Sequence, residues 1–233
     1  MMNKSYKYTG LVIIIIFFGL IFIPKIFNRL ANDSTIQDNR STPAKPLSYI
    51  KLNGEAKRVP DFLMYNQDSL LIGNEDYLDK VYVVEFFFSR CPTICPIMKK
   101  NMNILDKKFS KRKDFGIAPF SIDPVHDTPK VLKEYAEKYE VKSQNWHLLT
   151  ENKAKVYELA NSGFNIFAGL NPAAAGGFEH QGYFALIDKK GYIRSRVDRF
   201  GNPIVYYSGI DVENKNIQGV EMLLDDIELL LKE

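Results

Sequence analysis

The run VYVVEFFF, from Val81 to Phe88, constrains the fold more than any other stretch. It is β-branched or aromatic except at Glu85 and does not alternate with polar residues. That pattern suits a strand buried on both faces in the middle of a sheet. Such a strand needs partner strands at its edges and helices over its faces, and the flanking sequence supplies both. Thr93 to Phe109 reads as a helix with Ile97, Ile104, Leu105 and Phe109 on one face, and FGIAPFSID (Phe115 to Asp123) as the next strand. Asp127 or Thr128 caps a helix with Pro129 at its first position, ending near Glu140. NWHLLT (Asn145 to Thr150) reads as a short strand, and NKAKVYELANSG as a helix stopped at Gly163. Gly182 to Asp198 has the pattern of a β-hairpin, and an amphipathic helix runs from about Glu213 to Lys232. The expected fold class is α/β, a sandwich around a mixed central sheet. With 233 residues and 45% hydrophobic content, the chain can build one such core plus an attachment.

The amino end supplies the candidate attachment. LVIIIIFFGLIFI, Leu11 to Ile23, carries no charge, and Lys4 and Lys7 precede it. No small-x-small cleavage site follows, so the segment reads as an uncleaved anchor rather than a signal peptide. The expected organisation is a short cytoplasmic tail (1–7), a transmembrane helix (8–27), a polar linker (28–48) and a globular domain (49–233). The charge bias across the span is weak, and the simplest topology exports the domain. That places it on the periplasmic side of the inner membrane. A net charge of +3 is too slight to argue for nucleic acid. The basic run Lys99 to Lys113 reads as a solvated helix face.

Both cysteines of the chain, Cys91 and Cys95, follow the buried strand at once in FSRCPTICP. They lie where the chain leaves the sheet and enters a helix amino end, where free N–H groups and the macrodipole favour thiolate. Arg90 pushes the same way. Residues four apart on a helix share a face, so the sulfurs can meet. Pro96 fits if the helix begins near Thr93 and leaves Cys91 in the preceding turn. The order strand, cysteine pair, helix resembles a thioredoxin-type arrangement, but with three residues between the cysteines instead of two. Two thiolates so splayed form an open claw whose soft sulfurs select Cu(I) or Zn(II), and a claw of two needs a third ligand. Three histidines are available. His147 lies inside a short apolar strand and reads as structural. His126 follows a strand and is a lesser candidate. His180 ends the loop NPAAAGGFEH just before GYFALID, where thioredoxins carry a cis-proline; the nearest proline here is Pro172. On residues alone, His180 is open between ligand and structural histidine.

FFFSRCPTICP, SIDPVHDTP and a lone histidine before FALIDKKG together resemble the Sco/SenC family, membrane-anchored thioredoxin-fold proteins that bind copper and help assemble the binuclear copper centre of cytochrome c oxidase. The likeness spans most of the chain, with Cys-Pro-x-x-Cys-Pro at Cys91 to Pro96 and Asp-Pro-x-x-Asp-Thr-Pro at Asp123 to Pro129. It implies a thioredoxin-like fold and a copper site of Cys91, Cys95 and His180. Cu(I) is the first oxidation state expected and Cu(II) an alternative. The implied partners are the copper-site subunit of the oxidase and an exported thiol reductant. The chain has Glu179, His180, Gln181 where the family usually has Asp-His-Ser or Asp-His-Thr, which alters the support around the imidazole. Asp123 is expected to shape the loop beside the site or to form an Asx turn. Peroxiredoxins place Thr or Ser three residues before their nucleophile; here those positions are Phe88 and Pro92, and that class is set aside.

Glu85 keeps a second activity open. A carboxyl in the middle of a buried strand is costly when ionised, so its pKa should rise. Thioredoxins keep an acid at a similar place to handle protons for the buried thiol. Two readings follow: a copper chaperone, or a thiol–disulfide oxidoreductase with Cys91 and Cys95 as the redox pair and Glu85 as proton acceptor.

Overall fold

A computed structural model of the chain describes residues 9–31, 46–141, 143–197, 200–210 and 219–233. The expected tail at 1–7, Tyr8 of the expected anchor and the linker between 32 and 45 lie outside these residues. The first compact unit contains a helix, α1 (Thr9–Ala31), with Pro24 inside it. Among the described residues no helix is long and apolar enough to cross a membrane. This corrects the expected anchor at 8–27, and the single-pass, periplasmic placement that rested on it. The continuously apolar run Leu11 to Ile23 gives roughly 20 Å of helix at about 1.5 Å per residue, short of the ~30 Å hydrocarbon layer. Pro24 and Lys25 follow it directly.

The second unit holds the remaining elements. In chain order these are β1 (Ser48–Tyr49), β2 (Lys51–Leu52), β3 (Glu55–Ala56), β4 (Leu63–Tyr65), β5 (Leu71–Gly73), β6 (Val81–Phe87), α2 (Cys95–Phe109), β7 (Phe115–Ser121), α3 (Pro129–Lys138), α4 (Lys153–Glu158), β8 (Ala168–Leu170), β9 (Phe178–His180), β10 (Tyr183–Ile187), β11 (Ile193–Ser195), β12 (Tyr207–Ser208) and α5 (Gly219–Lys232). The main sheet has the order β1-β11-β10-β6-β7, with β12 also pairing β10. β6 and β7 are parallel, and β10 runs antiparallel to β6 and to β11, so the sheet is mixed and thioredoxin-like.

Every residue of β6 is buried, as its uninterrupted apolar run requires. On one face Phe86 packs between Phe120, 5.7 Å away, and Phe164, also at 5.7 Å. On the other, Phe87 meets Tyr135 of α3 at 5.6 Å. Each such ring removes enough apolar surface from water to favour folding by about 2–3 kcal/mol. Glu85 shares the Phe87 face by the two-residue period of a strand.

Three local expectations change. Asn145 to Thr150 touches β7 through isolated parallel bridges at Trp146 and Leu149, and β4 through Thr150, without forming a regular strand. Gly163 does not stop its helix. The chain continues α4 in a wide turn from Leu159 to Phe164, and Asn165, at φ 54°, ends it. A Cβ on Gly163 would come 3.0 Å from Pro60 Cγ, so close packing is what glycine serves there. On α2, Ile104 faces solvent, while Cys95, Met98, Lys99, Met102, Leu105 and Phe109 are buried. Lys99 therefore leaves the solvated face expected for Lys99 to Lys113.

Candidate metal centre

β6 delivers the chain to the carboxyl edge of the sheet. Phe88 is still buried, and the Cys91 N–H donates to its carbonyl at 3.2 Å, closing a turn. Cys95 is the first residue of α2, with Pro96 where a proline is tolerated because that N–H has no helical partner. Cys91 thus lies outside the helix with its sulfur facing the helix start, and the Cys95 N–H points at Cys91 Sγ at 3.5 Å. Thr93 Oγ1 lies 3.6 Å from the same sulfur. Both cysteines are free thiols and both are buried.

His180 arrives on a separate element. β8 and β9 form a two-stranded antiparallel ribbon, with Ala168 opposite His180, and the Gly-rich stretch makes its tip. Gly176 and Gly177 at that tip have φ of +88° and +83°. The ribbon brings His180 Nε2 to 3.3 Å from Cys95 Sγ. Its other nitrogen, Nδ1, lies 3.3 Å from the Gln181 carbonyl, an arrangement that holds the proton on Nδ1 and leaves the Nε2 lone pair facing the sulfurs. Phe88 presses on the imidazole edge-to-face at 5.9 Å. The departure at Glu179 and Gln181 is absorbed locally. Asn171 Nδ2 donates to Glu179 Oε2 at 2.9 Å, and Gln181 Oε1 accepts from the Phe167 N–H at 3.0 Å. Sγ of Cys91, Sγ of Cys95 and a nitrogen of His180 all lie within 4.8 Å of one another. Two soft sulfurs and one imidazole nitrogen suit Cu(I).

The two thiols are electrostatically unequal. A hydrogen bond from Cys95 pulls the Cys91 thiol well below its usual range, and the backbone N–H groups of Cys95 and Thr93 pull the same way against burial. Cys95 is pushed up because it donates that hydrogen bond and because it is buried. The arrangement is one thiolate, Cys91, and one thiol, Cys95.

A second acidic group lies beside the site. Asp123, His126 and Asp127 also bring ligand-type atoms within 4.8 Å of one another, but hydrogen bonds already engage them. Arg90 Nη2 donates to Asp123 Oδ2 at 2.5 Å, so the guanidinium serves Asp123 rather than the thiols. Asp127, fully buried, accepts from the Ser89 N–H at 3.0 Å, from Ser121 Oγ at 2.5 Å and from Ser89 Oγ. His126 Nδ1 lies 3.0 Å from Asp127 Oδ1 and outside the Cys91, Cys95, His180 cluster. His147 meets the Tyr77 hydroxyl at 2.9 Å, in keeping with a structural residue. Asp123 does shape the loop, since its carbonyl accepts from the N–H groups of His126 and Asp127.

Glu85 is buried on β6, and its Oε2 has no hydrogen-bond partner. Burial raises its pKa and Lys99 opposes the rise. Lys99, which the sequence reading left in solvent, is buried with Nζ 3.5 Å from the centre of the Trp146 ring. Its position four residues after Cys95 was the signal for that placement, because it sets Lys99 on the buried stripe of α2.

A family model, SCO1/SenC, matches residues 51–212, more than half of the chain. The chain belongs to the SCO1/SenC family. Among curated proteins it is 33% identical over 137 residues to the SCO1 protein homolog of Bacillus subtilis, an alignment covering 58% of this chain and 70% of that protein. Among solved structures it resembles BsSco, described as a member of the Sco family of cytochrome c oxidase assembly proteins with a disulfide switch. That likeness has a TM-score of 0.62 at 26% identity and covers 82% of this chain and 98% of the other. Bradyrhizobium japonicum ScoI, solved with copper bound, shares the fold with a TM-score of 0.58 at 17% identity, over 75% of this chain and 99% of its own.

Proposed function

We propose that this chain is a copper chaperone that binds one copper ion through Cys91, Cys95 and His180 and delivers it to the binuclear copper centre of a respiratory cytochrome c oxidase. The observation that carries this is the convergence of two sulfurs and one imidazole nitrogen within 4.8 Å in a buried setting. Relatives support it: BsSco belongs to a family of oxidase assembly proteins, and ScoI is known with copper. Cys91 is ready as a thiolate. Cys95 gives up its proton as copper enters, so loading releases protons and strengthens with rising pH. The disulfide form cannot coordinate, and a thiol reductant is therefore a partner of the cycle. Cys91 lies in the turn outside α2 and is the slightly more exposed residue of the pair, so a thiol or imidazole of the oxidase copper-site subunit enters from the Cys91 side by ligand exchange.

The test is copper stoichiometry and affinity of the reduced full chain against a competing chelator. The expected result is one copper per chain, with Cys91→Ser and His180→Ala weakened by roughly 100-fold or more. A His180→Ala variant that retains full affinity would show that the nitrogen ligand is wrongly assigned.

A second reading, thiol–disulfide exchange on a partner protein, is favoured by the unequal thiols and by the Glu85 carboxyl behind them. His180→Ala separates the two: exchange survives it, and copper delivery does not.

A further inference from the structure

The stretch Asp-Pro-x-x-Asp-Thr-Pro, Asp123 to Pro129, supplies no side chain to the cluster of Cys91, Cys95 and His180, yet it packs against the residues that lead into Cys91. Cys91 lies outside α2, so the helix does not fix it, and its own N–H makes a turn bond to the Phe88 carbonyl. The grip on that turn comes from Asp127. Its carboxyl takes hold of Ser89 twice, accepting from the N–H at Oδ2 at 3.0 Å and from Oγ at Oδ1. Ser121 Oγ, at the end of β7, donates to the same Oδ2 at 2.5 Å. The next residue after Ser89, Arg90, donates to Asp123 Oδ2 at 2.5 Å. Acids at both ends of one short loop thus hold the two residues directly before Cys91.

The grip is itself anchored on both sides. The Asp127 N–H donates to the Asp123 carbonyl at 2.8 Å, and the Ile122 N–H donates to the Phe87 carbonyl at 2.8 Å, which ties the loop to the end of β6. Past Asp127 the chain enters α3 at once. Thr128 caps that helix by accepting from the Val131 N–H, and Pro129 takes its first position. Asp127 is fully buried, and from the solvent side His126 Nδ1 lies 3.0 Å from its Oδ1 and 3.3 Å from Ser89 Oγ. A buried carboxyl that loses such donors is costly to the fold, so this contact holds while the rest of the turn can flex.

We propose that Asp127 is the positioning residue for the Cys91 ligand: by holding Ser89 through main chain and side chain, it sets the turn that points the Cys91 sulfur at the start of α2. Cys95 needs no such support, because α2 carries it, and His180 is carried by its own ribbon. The approach of the two sulfurs is therefore governed from outside the Cys-Pro-x-x-Cys-Pro stretch, by the loop between β7 and α3. Asp127 acts on the sulfur through Ser89 and the turn, and Asp123 steadies the same segment through Arg90. The inference rests on the copper reading of the Cys91, Cys95 and His180 cluster.

The test is the Cu(I) affinity of the reduced full chain by chelator competition, for Asp127→Ala, Asp127→Asn and Ser89→Ala, each alone and combined with Cys91→Ser. Amide hydrogen exchange of the copper-free chain accompanies it. Asp127→Ala is expected to weaken Cu(I) binding by about 10- to 100-fold, and Ser89→Ala by less. Asp127→Asn keeps one oxygen for the Ser89 N–H and is expected to recover most of the Asp127→Ala loss. In the Cys91→Ser background, Asp127→Ala and Ser89→Ala weaken binding no further, because the sulfur they place is gone. Without copper, exchange at Ser89 and Cys91 quickens in Asp127→Ala and stays unchanged in β10. If the losses from Asp127→Ala and Cys91→Ser simply multiply, Asp127 acts on the fold as a whole and the proposal falls. Should Asp127→Ala not fold, Ser89→Ala, which keeps the buried carboxyl, decides the matter, and wild-type affinity there overturns the proposal. A Cys91→Ser chain that binds copper as tightly as wild type overturns the copper reading itself, whatever Asp127 does.

Discussion

Lys99 shows how one buried charge changes the pH response of the whole protein. Glu85 has a raised pKa in the folded state, so taken alone it costs stability as pH rises above its usual value near 4.5. Lys99 has a lowered pKa, so taken alone it costs stability as pH falls below 10.5. The Glu85 slope runs from about pH 4.5 to about pH 7, and the Lys99 slope, of opposite sign, from about pH 7 to about pH 10.5. Lys99→Met removes one of them, and the native state then holds a proton on Glu85 that the unfolded chain has lost. Above about pH 7, where the wild type regains stability through Lys99 as pH rises, the variant lacks that gain, so we expect its unfolding free energy to fall relative to wild type by at least about 1.4 kcal/mol per pH unit. Urea titrations across that range check this, and parallel profiles would refute it. The thiols give a second expectation at this scale. Because Cys91 is the thiolate, iodoacetamide should modify it ahead of Cys95, at a rate nearly flat from about pH 5 to about pH 8. Peptide mass spectrometry reads out both sites, and equal labelling would refute the inequality.

The ribbon β8–β9 and its glycines give the next expectation. Gly177 has a left-handed φ and open space around it, so Gly177→Ala should cost only the conformational penalty, about 1–2 kcal/mol. Gly176 has the same backbone demand, and a Cβ there would come 2.7 Å from Phe88 Cε2. Gly176→Ala should therefore cost more. It should also weaken copper binding, since Phe88 supports the His180 ring. Chemical denaturation and chelator competition measure the two effects, and equal losses in both variants would contradict them. This element also marks how far the sequence could be read. β6 and the start of α2 were legible because a continuous apolar run, two cysteines and a proline each act locally. The strand carrying His180 read as a loop because glycines and alanines hide a pairing made with Ala168 to Leu170. Lys99 read as solvated because Trp146 and Tyr139, which bury it, come from distant sequence. The amino helix read as a span because its residues are apolar, though the continuously apolar run is too short.

At the scale of the molecule, α5 is joined to the sheet by a buried ion pair. Arg196 Nε and Nη2 both lie 2.8 Å from Asp226 oxygens, and the Tyr207 hydroxyl donates to Asp226 at 2.7 Å. Arg196→Met leaves a buried carboxylate without its cation and should cost about 3–5 kcal/mol in urea unfolding. The double variant Arg196→Met, Asp226→Leu should recover much of that loss. A double variant as weak as the single one would place the damage in packing instead of charge.

The copper ligands come from two structures of unequal tenacity. The sulfurs sit at the edge of the main sheet, while the nitrogen sits on a two-strand ribbon that belongs to no larger sheet. Ribbon opening therefore has its own free energy, below that of global unfolding, and a metal that requires the closed ribbon adds its binding energy to that gap. Amide hydrogen exchange at Phe178 and His180 then becomes a direct gauge of cargo. Slow exchange marks a loaded chain and fast exchange an empty one, with the strands of the main sheet as an unchanging internal clock.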